Sequence, residues 1–180
     1  MHAGVRPSWM ASMNRRLIAA VAALGSLALA GPAVAAPKAN TITAIGGMKV
    51  KANAYVQDGQ RWDADSYTVK SGATVTLRDK STEKQPHTLS LIKKLPKTPA
   101  QIMGCEACGP LMEAHEANPE TMEVGKELVE AGGEGFDVAG DSIFLAPKGK
   151  VTFKVTAKKG SKLAFVCVIH PWMLAEIKVA

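Results

Sequence analysis

Chemically reactive side chains are scarce in this chain. Its 180 residues contain three cysteines and four histidines, and aromatic side chains make up 5%. No basic patch is interleaved with aromatics, which argues against a nucleic-acid partner. The longest apolar run, residues 17–30, falls short of the roughly 20 residues that a membrane-spanning helix needs. The one C-x-x-C, made by Cys105 and Cys108, is followed by Gly109 and not by His, which excludes a covalent haem motif. No internal repeat is present.

The short apolar run follows Arg15 and Arg16 and precedes Ala33, Val34 and Ala35. That is the layout of a cleaved secretory signal. Residues 1–35 are therefore expected to leave, with no stable membrane insertion afterwards. Residues 36–180 would remain as one domain, long enough to build a core without relying on disulfides. Export places it in an oxidising compartment, periplasmic or extracellular. The remaining chain holds 19 Lys and Arg against 16 Asp and Glu. Nine of the acidic residues fall between positions 101 and 137, alongside a single basic one, Lys126. A basic body with an acidic segment can steer a charged protein partner.

The pattern from Thr41 to Ile92 is β. MKVKANAYVQ alternates and DGQ turns the chain. YTVK and ATVTL alternate around Ser71-Gly72, and HTLSLI follows from His87. After position 141, SIFLAP, VTFKVTA, LAFVCVI and LAEIKVA read as further strands. Between them lies a segment of different character. Thr98 to Gln101 resembles a capping box with Pro99 at the first helical position. Pro110 to Ala117 reads as one helix. Asn118 reads as the N-cap of another, closed by Gly132-Gly133. The expected fold is all-β, a sandwich with a helical insertion at about residues 98–137, before the C-terminal strands.

FVCVIHPWM carries the chemistry. Cys167, His170 and Met173 recur at three-residue intervals and offer thiolate, imidazole and thioether. Blue-copper electron-transfer sites combine a His₂Cys plane with a weak axial Met. The missing imidazole must come from elsewhere. His2 leaves with the signal and His115 lies in the acidic segment, so His87 at a strand start is preferred. C-x-x-H alone is a weak signal, and buried cysteines on apolar strands are common. Met173 in register and an exported β context strengthen it.

CVIHPWM resembles the C-terminal copper loop of the cupredoxins, with C-x-x-H-P-x-M spacing most similar to amicyanin's; plastocyanin has a longer loop. YTVKSGATVTLRDKSTEKQPHTLSL is similar to the strand pair that leads to that family's first copper histidine. The resemblance covers about residues 41–95 and 140–180. It implies a Greek-key sandwich, one type 1 copper per chain and electron transfer without substrate chemistry. By position, His87, Cys167 and His170 would be equatorial ligands and Met173 the axial one. Two departures stand out. RDKS, at Arg78–Ser81, supplies no Asn of the kind the family often places near its first His. In addition, 79 residues separate His87 from Cys167, more than in amicyanin.

Cys105 and Cys108 admit three readings: a disulfide that leaves Cys167 free, a second metal site with Met112 and His115, or a redox-active dithiol. The expected function is one-electron transport between redox partner proteins by a monomer, not catalysis. The alternative is copper storage or delivery through the insertion.

Overall fold

The computed structural model describes residues 39–118, 120–121 and 123–180. The expected signal segment lies outside them. In chain order the elements are β1 (Thr41–Ile45), β2 (Met48–Lys51), β3 (Tyr55–Asp58), β4 (Arg61–Trp62), β5 (Ser66–Val69), β6 (Thr74–Asp79) and β7 (His87–Ile92). Then come α1 (Pro99–Met103), α2 (Cys108–Ala114), β8 (Leu128–Val129), β9 (Ser142–Leu145), β10 (Lys150–Lys154), β11 (Lys162–Val166) and β12 (Leu174–Val179).

Alternation drives the layering. In β6, Val75, Leu77 and Asp79 are buried while Thr74 is exposed. In β12, Ala175, Ile177 and Val179 are buried. Side chains two apart share a face, so each strand gives one apolar row to the interior. One sheet has the order β10-β6-β1-β4, the other β5-β12-β11-β7-β9-β8. The β1–β6 and β5–β12 pairs are parallel and the other pairs are antiparallel. Ile42, Leu77 and Phe153 of the first sheet join Leu91, Phe165 and Ile177 of the second in one core. Burying each such side chain contributes about 1.5–3 kcal/mol. The result is the all-β Greek-key sandwich with a helical insertion expected from the sequence.

Three local expectations need correction. MKVKANAYVQ is not one strand but the β2–β3 hairpin, turned at Asn53 with φ of 57°. Asn tolerates this left-handed conformation, and Ala54 N–H donates to the Lys51 carbonyl. The strand LAFVCVI is shorter than its pattern suggests: β11 ends at Val166, so Cys167 stands just outside it. Among the described residues, the second insertion helix does not form. Asn118 does cap, accepting from Glu120 and Thr121 N–H groups, but its own N–H then donates to the Glu123 carbonyl and closes a turn. Gly125, a weak helix residue, follows, and Leu128 and Val129 pair with Ile143 and Ser142. Strand pairing outweighs the weak helical signal.

The first insertion helix keeps its predicted cap. Thr98 accepts from Gln101 N–H, and the Gln101 side chain reaches back to Lys97 N–H. Helix α2 begins at Cys108, two residues earlier than the sequence reading. The insertion region accompanies an unusual burial pattern. β7 is buried at five successive positions and β9 throughout, so Thr88, Ser90 and Ser142 lie inside instead of facing water.

Candidate metal centre

β7 and β11 are antiparallel neighbours, with Ser90 opposite Val166. This register carries Cys167, the next residue, alongside Thr88 and His87. Thr88 N–H donates to Cys167 Sγ at 3.3 Å. Beyond Cys167 the chain loops into β12. Met173 N–H donates to the His170 carbonyl at 2.8 Å, and Cys167 N–H to the Met173 carbonyl at 3.0 Å. Pro171 limits the loop further. Trp62 Nε1–H also donates to the Met173 carbonyl, at 3.1 Å, tying the loop to the first sheet.

Three of the four predicted residues converge through their donor atoms. Cys167 Sγ lies 3.5 Å from His170 Nδ1 and 3.9 Å from His87 Nδ1. The ligand atoms of all three lie within 4.8 Å of one another, and all three residues are buried. A first-row ion at typical sulfur and nitrogen distances of about 2.3 and 2.0 Å holds such donors about 3.5–3.8 Å apart. The spacing therefore fits a single small ion, and one thiol with two imidazoles is a donor set suited to copper. Met173 is fully buried in the same core cluster as Cys167.

Contacts beyond the donors fix which nitrogen faces inward. His170 Nε2 lies 2.8 Å from Gln85 Oε1 and 3.1 Å from Gln60 Nε2, while Nδ1 faces the sulfur; a proton on Nε2, donated to Gln85, leaves the Nδ1 lone pair for a metal. Gln60 Nε2–H donates to that same Gln85 oxygen at 2.9 Å and to Asp58 Oδ2 at 3.1 Å. The His87 Nε2 edge faces Asp79 Oδ1 at 3.6 Å and Ser81 Oγ at 3.5 Å. Asp79 accepts from Ser81 N–H and Lys148 N–H, both at 2.7 Å. The RDKS departure thus places a carboxylate and a hydroxyl behind the first histidine. Sequence reasoning missed Gln60, Gln85, Asp79 and Thr88.

The electrostatics keep the metal-free site neutral. Burial pushes the Cys167 thiol above its ordinary value, against hydrogen bonds from Thr88 and the loop that favour thiolate. Burial, then the neighbouring His170, takes His87 down to about 4, although Asp79 opposes this. Burial also lowers His170 and His115. At neutral pH the rings are free to donate lone pairs, and metal binding would release the thiol proton.

These shifts give a pH prediction for the metal-free chain. Buried rings held below 6.5 bind fewer protons than the same rings unfolded. Stability is therefore present at pH 7 and falls as pH drops through 6.5 toward about 4. Thermal denaturation across that window should show a steadily falling Tm. A flat profile would contradict the burial of neutral histidines.

Among the described residues, the insertion forms no second donor cluster. Cys105 and Cys108 are joined in a disulfide, and Cys167 is the free cysteine. His115 is fully buried and uses both nitrogens, on the Lys126 carbonyl and on Ser142 Oγ. Trp172 is 38% exposed, stands edge-on to His170 at 5.5 Å, and donates to the Gln60 carbonyl.

No protein-family model matches the chain, and no curated protein does. Among solved structures it is similar to an auracyanin from Roseiflexus castenholzii, at 19% identity over 80% of this chain and 99% of that one, with a TM-score of 0.42. A purple cupredoxin from Nitrosopumilus maritimus is 15% identical over 79% of this chain and 100% of that one, TM-score 0.41. Auracyanin A, a "blue" copper protein from Chloroflexus aurantiacus, is 18% identical over 78% and 98%, also at TM-score 0.41. Likeness this distant leaves the reading to the chain's own geometry. In its two-sheet sandwich and its His87–Cys167–His170 cluster, the protein is cupredoxin-like.

Proposed function

We propose that this chain is an exported type 1 copper protein that carries single electrons between larger proteins. The observation that carries the reading is the convergence of one buried thiol and two buried, inward-turned imidazoles within 4.8 Å. His87, Cys167 and His170 would hold one copper, with Met173 as a weak axial donor. Copper bound there supplies a one-electron Cu(II)/Cu(I) couple.

The protein's part is to hold the donors still. His87 opens a strand inside the sheet, and the other three residues sit on a loop closed by two backbone hydrogen bonds. Gln85 and Gln60 brace His170; Asp79 and Ser81 stand behind His87. Donors fixed in this way move little between oxidation states, which keeps the barrier to electron transfer low. Four protein donors leave no open position for a substrate, which favours a carrier over an enzyme. The signal-like leader and the Cys105–Cys108 disulfide support a periplasmic or extracellular site of action. The basic body and acidic segment suit charge-steered encounters with protein partners by a monomer.

Replacing both Cys105 and Cys108 by Ser separates this from copper storage or delivery. The carrier reading predicts unchanged loading at one equivalent and unchanged redox cycling. Loss of loading would instead place copper handling in the insertion. A second variant tests the axial role. Met173→Leu should retain copper and raise the reduction potential, read by voltammetry, because a weak donor to Cu(II) is lost. Complete loss of copper would show that Met173 does more than tune.

A further inference from the structure

β7 and β9 carry a line of buried polar groups that the four proposed ligands do not require. It starts in the insertion. His115, which caps the C-terminus of α2, donates from Nδ1 to the Lys126 carbonyl at 2.6 Å. Its Nε2 lies 2.7 Å from Ser142 Oγ, and Ser142 Oγ lies 2.6 Å from Ser90 Oγ. Ser90 Oγ lies 2.9 Å from Thr88 Oγ1, and the Val168 N–H donates to the same Thr88 oxygen at 2.9 Å. The Thr88 N–H in turn donates to Cys167 Sγ. His115, Ser142, Ser90, Thr88 and Cys167 all have 0% exposure.

Water competes poorly for such groups, and each loses heavily if its partner is removed. The chain therefore has one favourable arrangement, and that arrangement ends on the thiol. A second contact runs parallel to it. Leu111, four residues before His115, packs against Val166 and Val168, which flank Cys167. Helix α2 thus grips the cysteine segment by an apolar contact and, through three hydroxyls, by a polar one.

We propose that His115 is a positioning residue for the metal centre: through Ser142 and Ser90 it holds Thr88, and Thr88 sets the amides around Cys167. The linkage is a property of the metal-free chain, and only its effect on the bound metal rests on the copper reading. Breaking it frees Thr88 to turn and lengthens the N–H···S contact. A thiolate relieved of that donor is more electron-rich and favours the oxidised ion, so the potential falls.

The test begins without metal, by amide hydrogen exchange in the wild-type chain and the His115→Leu, Ser90→Ala and Ser90→Thr variants. The Thr88 and Val168 amides should exchange about tenfold faster in the first two variants, the effect of a lost hydrogen bond. Ile42 and Phe153, on the other sheet, should be unchanged, and Ser90→Thr, which keeps the hydroxyl, should restore the slow rates. Unchanged rates at 88 and 168, or one uniform rise at all amides, would overturn the proposal. The same variants are then loaded with Cu(II). A lower potential with the thiolate absorption band retained is the expected result, and an unshifted potential would overturn the tuning role. Should the wild type bind no copper while the local exchange pattern holds, the linkage stands and the copper reading fails.

Discussion

Replacing Cys167 by serine is expected to abolish the intense visible absorption that the proposed type 1 copper site would give and to leave the sandwich folded. Cys167 is fully buried, and its sulfur is the one soft anionic donor that His87 and His170 face. A serine hydroxyl is harder and does not ionise at neutral pH, so no thiolate remains to transfer charge. The two imidazoles persist and can hold Cu(II) in an ordinary, pale site. The fold should survive because the substitution is nearly isosteric and the Thr88 N–H keeps an acceptor. A stability change of about 1–2 kcal/mol is expected, the range of most single substitutions. Absorption spectroscopy and circular dichroism read both halves. A serine variant that stays blue would remove Cys167 from the site.

Phe165→Ala is expected to be among the most destabilising single changes in the sheet that presents the site, costing about 3–5 kcal/mol. Phe165 is fully buried, meets the edge of Trp62 with ring centroids 5.5 Å apart, and lies 6.2 Å from Tyr67. It sits two residues before Cys167 and opposite Leu91 and Ala175 in the flanking strands. A cavity there loosens both the interior and the strand that delivers the thiol. Against a domain stability of about 5–15 kcal/mol, such a loss leaves little margin. Denaturant titration of the metal-free protein measures it. A loss under about 1 kcal/mol would mean that the two sheets do not meet through this ring.

The proposed ligand set was legible because most of it is local. Three of the four residues lie within seven positions, and their spacing survives folding because the loop closes on itself. His87 is the preferred second imidazole because a strand start is rigid and can face the cysteine loop. What braces the ligands was not legible. Gln60 approaches His170 across 110 residues, and Gln85 across 85. No periodicity marks a glutamine for that role, since it reads equally well as surface. Thr88, Ser90 and Ser142 carried a misleading signal, because alternation normally turns hydroxyls to water and here they lie inside. The helix expected after Asn118 failed for a related reason. Its cap is real, but Leu128 and Val129 found a better partner in β9.

The most direct measurement is a Cu(II) titration of residues 36–180 followed by absorption and electron paramagnetic resonance. A site made by His87, Cys167, His170 and Met173 predicts an intense blue band with narrow copper hyperfine splitting, saturating at one equivalent. A pale spectrum with ordinary splitting, or colour that depends on Cys105 and Cys108 instead of Cys167, would contradict it.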